Sequence, residues 1–185
     1  MNQIYVPDLQ KDLLSENEEI KIFANKLLAI DPGVLTRRPS PDKWSVMECF
    51  EHMNIIYKVY IQNINNSIKK HGQMKGVDYF KPTILGHYFY LSMAPNDKKK
   101  PMFKIKTFKR FNPLGETGDH IRIFLTHHEN FKVLLNNIPH LDVNKIKVYS
   151  SLGSIIKFKL GDIFRIVTGH NQRHIIQAEI TLKSV

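Results

Sequence analysis

Residues 44–71 read WSVMECFEHMNIIYKVYIQNINNSIKKH, and apolar side chains recur along this stretch at steps of three and four positions. The apolar positions that would share one face of a helix are Cys49, Met53, Ile56, Tyr60 and Ile64. Such a stripe predicts an amphipathic α-helix that buries one face. Gly72 follows the last turn and predicts the end of this helix.

Three further stretches show the same helical periodicity. They are residues 8–30, 119–137 and 160–182. Asp8 and Asp162 are the expected N-caps of the first and the last of these helices. The helical signal is weak between residues 72 and 118, where residues 84–92 favour a short helix, and we find no convincing strand hairpin. Four long amphipathic helices therefore predict an all-α, four-helix bundle with a long crossover between the second and third helices.

The composition is typical of a globular chain. Its 185 residues are 42% hydrophobic and 24% charged, which excludes disordered and fibrous classes. We expect residues 1–185 to form a single domain. The only cysteine, Cys49, cannot form an internal disulfide, and no stretch has the roughly 18 apolar residues of a membrane span. The N-terminal residues lack the apolar run of a signal peptide, so we expect a cytoplasmic protein without a membrane partner.

Three of the nine histidines fall on stripes that point inward. His170 and His174 are four positions apart in the fourth helix, and this spacing places two imidazoles one turn apart on the same face. His52 lies beside the apolar stripe of the second helix. Three neutral imidazoles from two helices would leave an open coordination position for water or substrate. The alternative is that all three are ordinary histidines, buried with hydrogen bonds or half exposed.

The third helix carries histidines without an evident third partner. We expect His120 and His127 at the surface or rim, and His128 on the side that faces the core. We therefore expect none of these three histidines to bind the metal.

Two short motifs resemble the signatures of the DinB-like superfamily. The segment WSVMECFEHM, preceded by PSPDKW, resembles the Trp-Ser, Glu and His signature through Trp44, Ser45, Glu48 and His52. The segment GHNQRHIIQ resembles the signature of the fourth helix through His170, His174 and Gln177. The resemblance covers about residues 9–182.

The resemblance implies a bundle with up-down-down-up topology and a divalent metal ion, commonly nickel or zinc. It assigns the metal ligands to His52, His170 and His174. The superfamily includes YfiT-like hydrolases, bacillithiol S-transferases and a mycothiol-dependent maleylpyruvate isomerase, so a low-molecular-weight thiol is a candidate cofactor. The resemblance names no catalytic residue for this chain.

Four other side chains near the predicted ligands have two interpretations each. Glu48 and Gln177 lie one turn from a candidate ligand, where each could hold an imidazole's second nitrogen. The alternative is that Glu48 is a surface glutamate and Gln177 a helix-end glutamine. Trp44 is expected to fill the core where the Pro-rich loop meets the bundle, rather than to stack on a bound small molecule. Cys49 is expected to be a buried structural thiol rather than a nucleophile.

The net charge of +10 comes mostly from one segment, residues 98–110. Its basic residues are Lys98, Lys99, Lys100, Lys104, Lys106, Lys109 and Arg110, and phenylalanines are interleaved with them. The segment could be a solvated loop that packs its aromatic rings on the bundle, or it could contact phosphates, an acidic membrane surface or a protein. We expect residues 80–111 to form part of the wall or rim of the metal cavity.

These observations favour a metal-dependent enzyme that transfers a thiol cofactor or performs a hydrolysis. A bound divalent ion would lower the pKa of the thiol or of a water. We expect a small, anionic substrate, and a homodimer is the oligomeric state to test for. A non-catalytic metal-containing binding module is the alternative, and a nucleic-acid-binding protein that uses residues 98–110 ranks third.

Overall fold

Long helices dominate the computed structural model, which describes residues 2–71, 75–95, 109–115, 118–151 and 155–185. Its α-helices are α1 (Val6–Leu27), α2 (Pro32–Leu35), α3 (Val46–His71), α4 (Ile84–Met93), α5 (His120–Asn136) and α6 (Leu160–Leu182), and two short 3₁₀ helices cover Lys109–Phe111 and Ile138–His140. Its strands are β1 (Ile4–Tyr5), β2 (Tyr79–Phe80), β3 (Lys147–Tyr149) and β4 (Lys157–Lys159). The prediction of a mostly helical protein is confirmed, and the four predicted long helices correspond to α1, α3, α5 and α6.

Two of the predicted helix caps are wrong. Helix α1 begins two residues before Asp8, with Tyr5 in the cap position and no side-chain cap bond. Asp162 lies inside α6, where its carboxylate instead accepts a hydrogen bond from Thr83 Oγ1 at 2.8 Å. Both helices continue directly from a strand, so backbone pairing rather than a capping side chain sets where they begin.

Two short antiparallel strand pairs accompany the helices. β1 pairs with β2, and β3 pairs with β4 in a hairpin in which Val148 lies opposite Phe158. The prediction that the chain has no strand hairpin is therefore wrong. Each hairpin strand has three residues, which is too short for a clear period-2 signal. Val148 and Phe158 are buried, and the alternate positions expose lysine and tyrosine side chains.

Helices α3 and α6 lie side by side. The carbonyl of Trp44, just before α3, accepts a hydrogen bond from Thr181 Oγ1 at 3.3 Å. Further along, His52 Nε2 lies 3.1 Å from His170 Nε2. The start of α3 is therefore beside the end of α6.

Helix α5 packs on α3 through aromatic rings. The ring centroids of Phe50 and Phe124 are 5.0 Å apart in an edge-on arrangement, and those of Tyr57 and Phe131 are 5.4 Å apart. All four side chains are fully buried. Such aromatic pairs stabilise a core beyond their burial alone.

Helix α1 covers the other side of α5. Near the start of α1, Gln10 Nε2 donates to the Leu135 carbonyl at 3.0 Å. Towards its end, Lys21 Nζ lies 2.6 Å from Glu129 Oε1. These contacts close the core between α1, α3, α5 and α6.

The crossover after α3 returns to the bundle through α4, which packs on α6. A Cβ atom at Gly86 would lie 2.2 Å from Cγ of Asp162, so the two helices approach closely at this point. Thr83 caps α4 by accepting a hydrogen bond from Gly86 N at 2.9 Å. Among the described residues, no helix is both long and apolar enough to cross a membrane.

Candidate metal centre

The structure brings His52, His170 and His174 together inside the bundle. Their exposed fractions are 3%, 8% and 6%. The ring centroid of His174 is 4.5 Å from that of each of the other two, and one potential ligand atom from each ring lies within 4.8 Å of the others. The three imidazoles that the sequence singles out therefore converge on one point.

An oxygen atom lies near the Nδ1 atom of each histidine. His52 Nδ1 is 2.6 Å from the carbonyl oxygen of Phe111, and His174 Nδ1 is 3.0 Å from Oε1 of Gln177. His170 Nδ1 is 3.4 Å from Oδ1 of Asn171. Because these oxygens accept hydrogen bonds, they favour the tautomer of each imidazole that carries its proton on Nδ1, and this tautomer leaves a free lone pair on Nε2.

Burial keeps the three imidazoles neutral. It is the main cause that lowers the pKa of each, and together with His52 it brings the pKa of His170 to about 3. The guanidinium of Arg173 lowers all three values further. Neutral imidazoles are the form that binds metals.

The arrangement of the Nε2 atoms fits a bound cation. Those of His52 and His170 are 3.1 Å apart, and with both protons on Nδ1 this contact sets two lone pairs against each other. An ion between them removes the repulsion. Two nitrogens bound to one ion at ~2.0–2.1 Å can be at most ~4.2 Å apart, so the spacing is compatible with shared coordination.

The indole of Trp44 forms one wall of the site. Its ring centroid lies 5.1 Å from that of His52 and 5.9 Å from that of His174, stacked on the latter with an interplanar angle of 24°. Trp44 is partly buried and packs against the core. The indole therefore packs on two of the three imidazoles as well as on the apolar core.

Glu48 fits neither of its two interpretations, because its carboxylate is not bonded to His52 and its side chain is buried. Its carboxylate pairs with the guanidinium of Arg38 and accepts a hydrogen bond from Ser45 N at 2.8 Å. Ser45 Oγ accepts in turn from Glu48 N at 3.1 Å. This reciprocal pair is a capping box that satisfies free N–H groups at the start of α3, which explains why the carboxylate faces away from the imidazole.

Cys49, His128 and His120 are not part of the histidine cluster. Cys49 is fully buried, and burial raises the pKa of its thiol, which agrees with a structural role. His128 is also buried and lies with Nδ1 2.9 Å from the hydroxyl of Tyr57. His120 is buried at the start of α5, so the expectation of a rim position is wrong for it. Its backbone carbonyl accepts a hydrogen bond from Asn54.

Most of the basic segment lies outside the described residues. Of its cations the structure describes Lys109 and Arg110, both exposed. The guanidinium of Arg110 donates to the carbonyl of Ser151 and lies over the ring of Phe111, 4.7 Å from its centroid. Phe111 also supplies the oxygen near His52, so the end of the crossover reaches the histidine cluster.

The sequence did not point to three groups beside the cluster. The Phe111 carbonyl is a backbone group 59 positions from His52 and leaves no mark in a sequence. Asn171, by contrast, directly follows His170 and could have been found from that adjacency. Arg173 lies in the same motif and could have been found as a cation beside two predicted ligands.

Comparison with known proteins supports a family assignment. A family model described as the DinB superfamily matches residues 23–178. No curated protein shows significant similarity to the chain, and neither does any solved structure.

Proposed function

The chain belongs to the DinB superfamily, and from this premise we propose that it is a metal-dependent enzyme that acts on a small, anionic molecule. The observation that carries the proposal is the convergence of three buried, neutral imidazoles whose Nδ1 atoms face oxygen acceptors. With each Nδ1 directed at an oxygen, the three Nε2 atoms are left to bind one divalent ion. Three protein ligands leave a coordination position open, as catalytic sites do.

We further propose the up-down-down-up topology for α1, α3, α5 and α6, within a single domain. The contacts described above support it. The start of α1 lies by the end of α5, and the start of α3 lies by the end of α6. The aromatic contacts between α3 and α5 follow the same order along both helices, as they do between parallel neighbours.

His52, His170 and His174 would hold the ion, and nickel or zinc suits a set of imidazole ligands. When bound, a divalent ion supplies Lewis acidity that lowers the pKa of a thiol or a water. The protein's own contribution is orientation and shielding. The acceptor oxygens fix the imidazoles, and the indole of Trp44 covers one side of them.

The charge around the site favours an anionic reactant. The potential metal-binding group contains no carboxylate among the residues that the structure describes. The positive charge of Arg173 is close enough to lower the pKa of all three histidines. A divalent ion held by neutral ligands keeps its full charge, so a thiolate or carboxylate would be attracted. This charge suits the thiolate of a transferase, and it suits any other small anion as well.

Elemental analysis of protein purified without an affinity tag tests the metal centre. We expect about one divalent ion per chain, or recovery of that stoichiometry on adding nickel or zinc. His174→Ala should weaken binding by on the order of 100-fold or more, because it removes a ligand, whereas loss of a ligand's support typically costs about 10–100-fold. His128→Ala is the matched control, since His128 is also a buried histidine, and should leave the stoichiometry unchanged.

Two results would contradict the metal centre. One is a stoichiometry well below one that added metal does not restore. The other is an equal loss of binding in both histidine variants. For the reaction itself, metal-loaded protein should consume a low-molecular-weight thiol in the presence of an electrophile, and His174→Ala should not. A protein that binds metal but neither transfers a thiol nor hydrolyses any member of an ester and amide panel would be a binding module.

A further inference from the structure

A buried carboxylate adjoins the metal centre without facing it. Glu51 precedes His52 on α3, and 5% of its surface is exposed. Its Oε1 accepts a hydrogen bond from Leu114 N at 2.8 Å, and its Oε2 accepts one from Gly115 N at 3.1 Å. A buried carboxylate needs such charge-assisted bonds to offset its lost hydration.

The partners of Glu51 belong to the segment that reaches His52. We call residues 109–115 the strap. Its Phe111 carbonyl lies 2.6 Å from Nδ1 of His52, so two consecutive residues of α3 hold the same short segment. On the far side of Phe111, the guanidinium of Arg110 donates to the Ser151 carbonyl.

The direction of the Phe111 carbonyl depends on these anchors. A backbone carbonyl turns with its peptide plane. Lys109–Phe111 form a single 3₁₀ turn, in which Asn112 N donates to the Lys109 carbonyl at 3.2 Å, and so short a turn needs outside anchors to fix its orientation. Glu51 restrains the strap three and four residues after Phe111 by two bonds that diverge from one carboxylate. Gly115 adopts a φ of 73°, a left-handed conformation that glycine takes readily.

We propose that Glu51 is a positioning residue that fixes the strap, so that the Phe111 carbonyl holds the Nδ1 proton of His52 and aims Nε2 at the metal. The proposal rests on the proposed metal centre. Glu51 touches neither the ion nor the substrate in this role. It acts through the strap alone, and the strength of metal binding depends on it.

The first test compares Glu51→Gln with Glu18→Gln, which makes the same charge change at an exposed position on α1. Gln offers one acceptor oxygen in place of two, so one backbone N–H loses its partner. In a Zn²⁺ titration against a chromophoric chelator, we expect Glu51→Gln to bind about tenfold more weakly than wild type. Glu18→Gln should match wild type. Circular dichroism and the melting curve show whether each variant is folded.

A second readout separates positioning from simple loss of charge. In metal-free protein, nitrogen-edited NMR reports whether His52 carries its proton on Nδ1 and whether that proton is protected by a hydrogen bond. We expect the protected signal in wild type and in Glu18→Gln, and its loss in Glu51→Gln. Unchanged protection together with an affinity within twofold of wild type would overturn the proposal. A wild-type protein that binds no Zn²⁺ would contradict the proposed function. The NMR measurement needs no metal, so it would still show whether Glu51 positions the Phe111 carbonyl on His52.

Gly115 provides a test that leaves Glu51 and the net charge intact. Within the described part of the chain, a Cβ atom at this position would meet no atom within 4 Å, so a substitution there acts through backbone conformation. Gly115→Val should disfavour the left-handed turn and reproduce both the weaker binding and the lost protection, whereas Gly115→Asn should be tolerated because Asn adopts this conformation more readily. Wild-type behaviour of Gly115→Val in both measurements would overturn the proposal.

Discussion

Acid should destabilise this protein through a buried histidine that is not a metal ligand. His128 is 1% exposed on α5, and its Nδ1 lies 2.9 Å from the hydroxyl of Tyr57. Burial lowers its pKa from 6.5 to about 4, and the opposing effects of Glu129 and of the Asn17 backbone are smaller. The native protein therefore keeps this ring neutral at pH values where the unfolded chain has already protonated it.

The sign and size of the effect follow from proton linkage. Between pH 6.5 and about 4 the unfolded state binds more protons at this residue than the native state, so the free energy of unfolding falls as the pH falls. At ~1.36 kcal/mol per pH unit, the full difference is worth about 3 kcal/mol. By pH 4.5 most of it, about 2 kcal/mol, should already be lost. That is a large part of the 5–15 kcal/mol typical of a folded domain.

Urea unfolding of metal-free protein at pH 7 and pH 4.5 measures this loss. His128→Asn keeps a polar group within reach of Tyr57 but cannot be protonated, so it should lose about 2 kcal/mol less than wild type between the two pH values. The variant should start from a lower stability at pH 7 because the smaller side chain leaves a cavity. His140→Asn, at an exposed position, is the control and should lose as much as wild type. Equal losses in wild type and His128→Asn would refute the reasoning.

Two further predictions concern the metal and the contact between α4 and α6. Chelation should lower the melting temperature by about 5–10 °C, since a ligand at 100 times its Kd adds about 2.7 kcal/mol, and should leave helical circular dichroism largely intact because the apolar core does not depend on the ion. A chelated protein that is unfolded at 25 °C would contradict this. Gly86→Ala should destabilise the protein by about 1–3 kcal/mol, because the new Cβ would lie 2.2 Å from Cγ of Asp162. Gly118→Ala is the control, as its Cβ would meet the His120 ring at an ordinary 3.7 Å; similar urea midpoints for the two variants would argue against the clash.

The long helices were predictable because their signals are local. The apolar stripe of α3 and the glycine after it predict a helix over residues 44–71, and the structure places it at Val46–His71. Asp119 caps α5 by accepting a hydrogen bond from Arg122 N. Asp162 shows where local reasoning fails. It has the chemistry of a cap, but a partner 79 positions away, Thr83, takes its carboxylate.

The hairpin of β3 and β4 was missed for a related reason. Three-residue strands bury one side chain each, so their stability comes from packing on the bundle rather than from a pattern of their own. Ile146 and Leu160 flank the open end of the hairpin. Both are fully buried, and Leu160 N donates to the Ile146 carbonyl at 2.9 Å. Nothing in either three-residue segment indicates this pairing.

The oxygen atoms near the Nδ1 atoms of the three histidines also come from both local and distant parts of the sequence. Gln177 and Asn171 belong to the helix that carries His174 and His170, so the geometry of α6 alone brings these oxygens near the imidazoles. His52 has no acceptor on its own helix, because Glu48 is engaged at the N-terminus of α3. Its partner is instead the Phe111 carbonyl, which comes into place when the crossover docks on α3. His170 and His174 can therefore be oriented as soon as α6 forms, whereas the orientation of His52 depends on tertiary structure. For this reason, we expect substitutions at the end of the crossover to alter metal binding through His52.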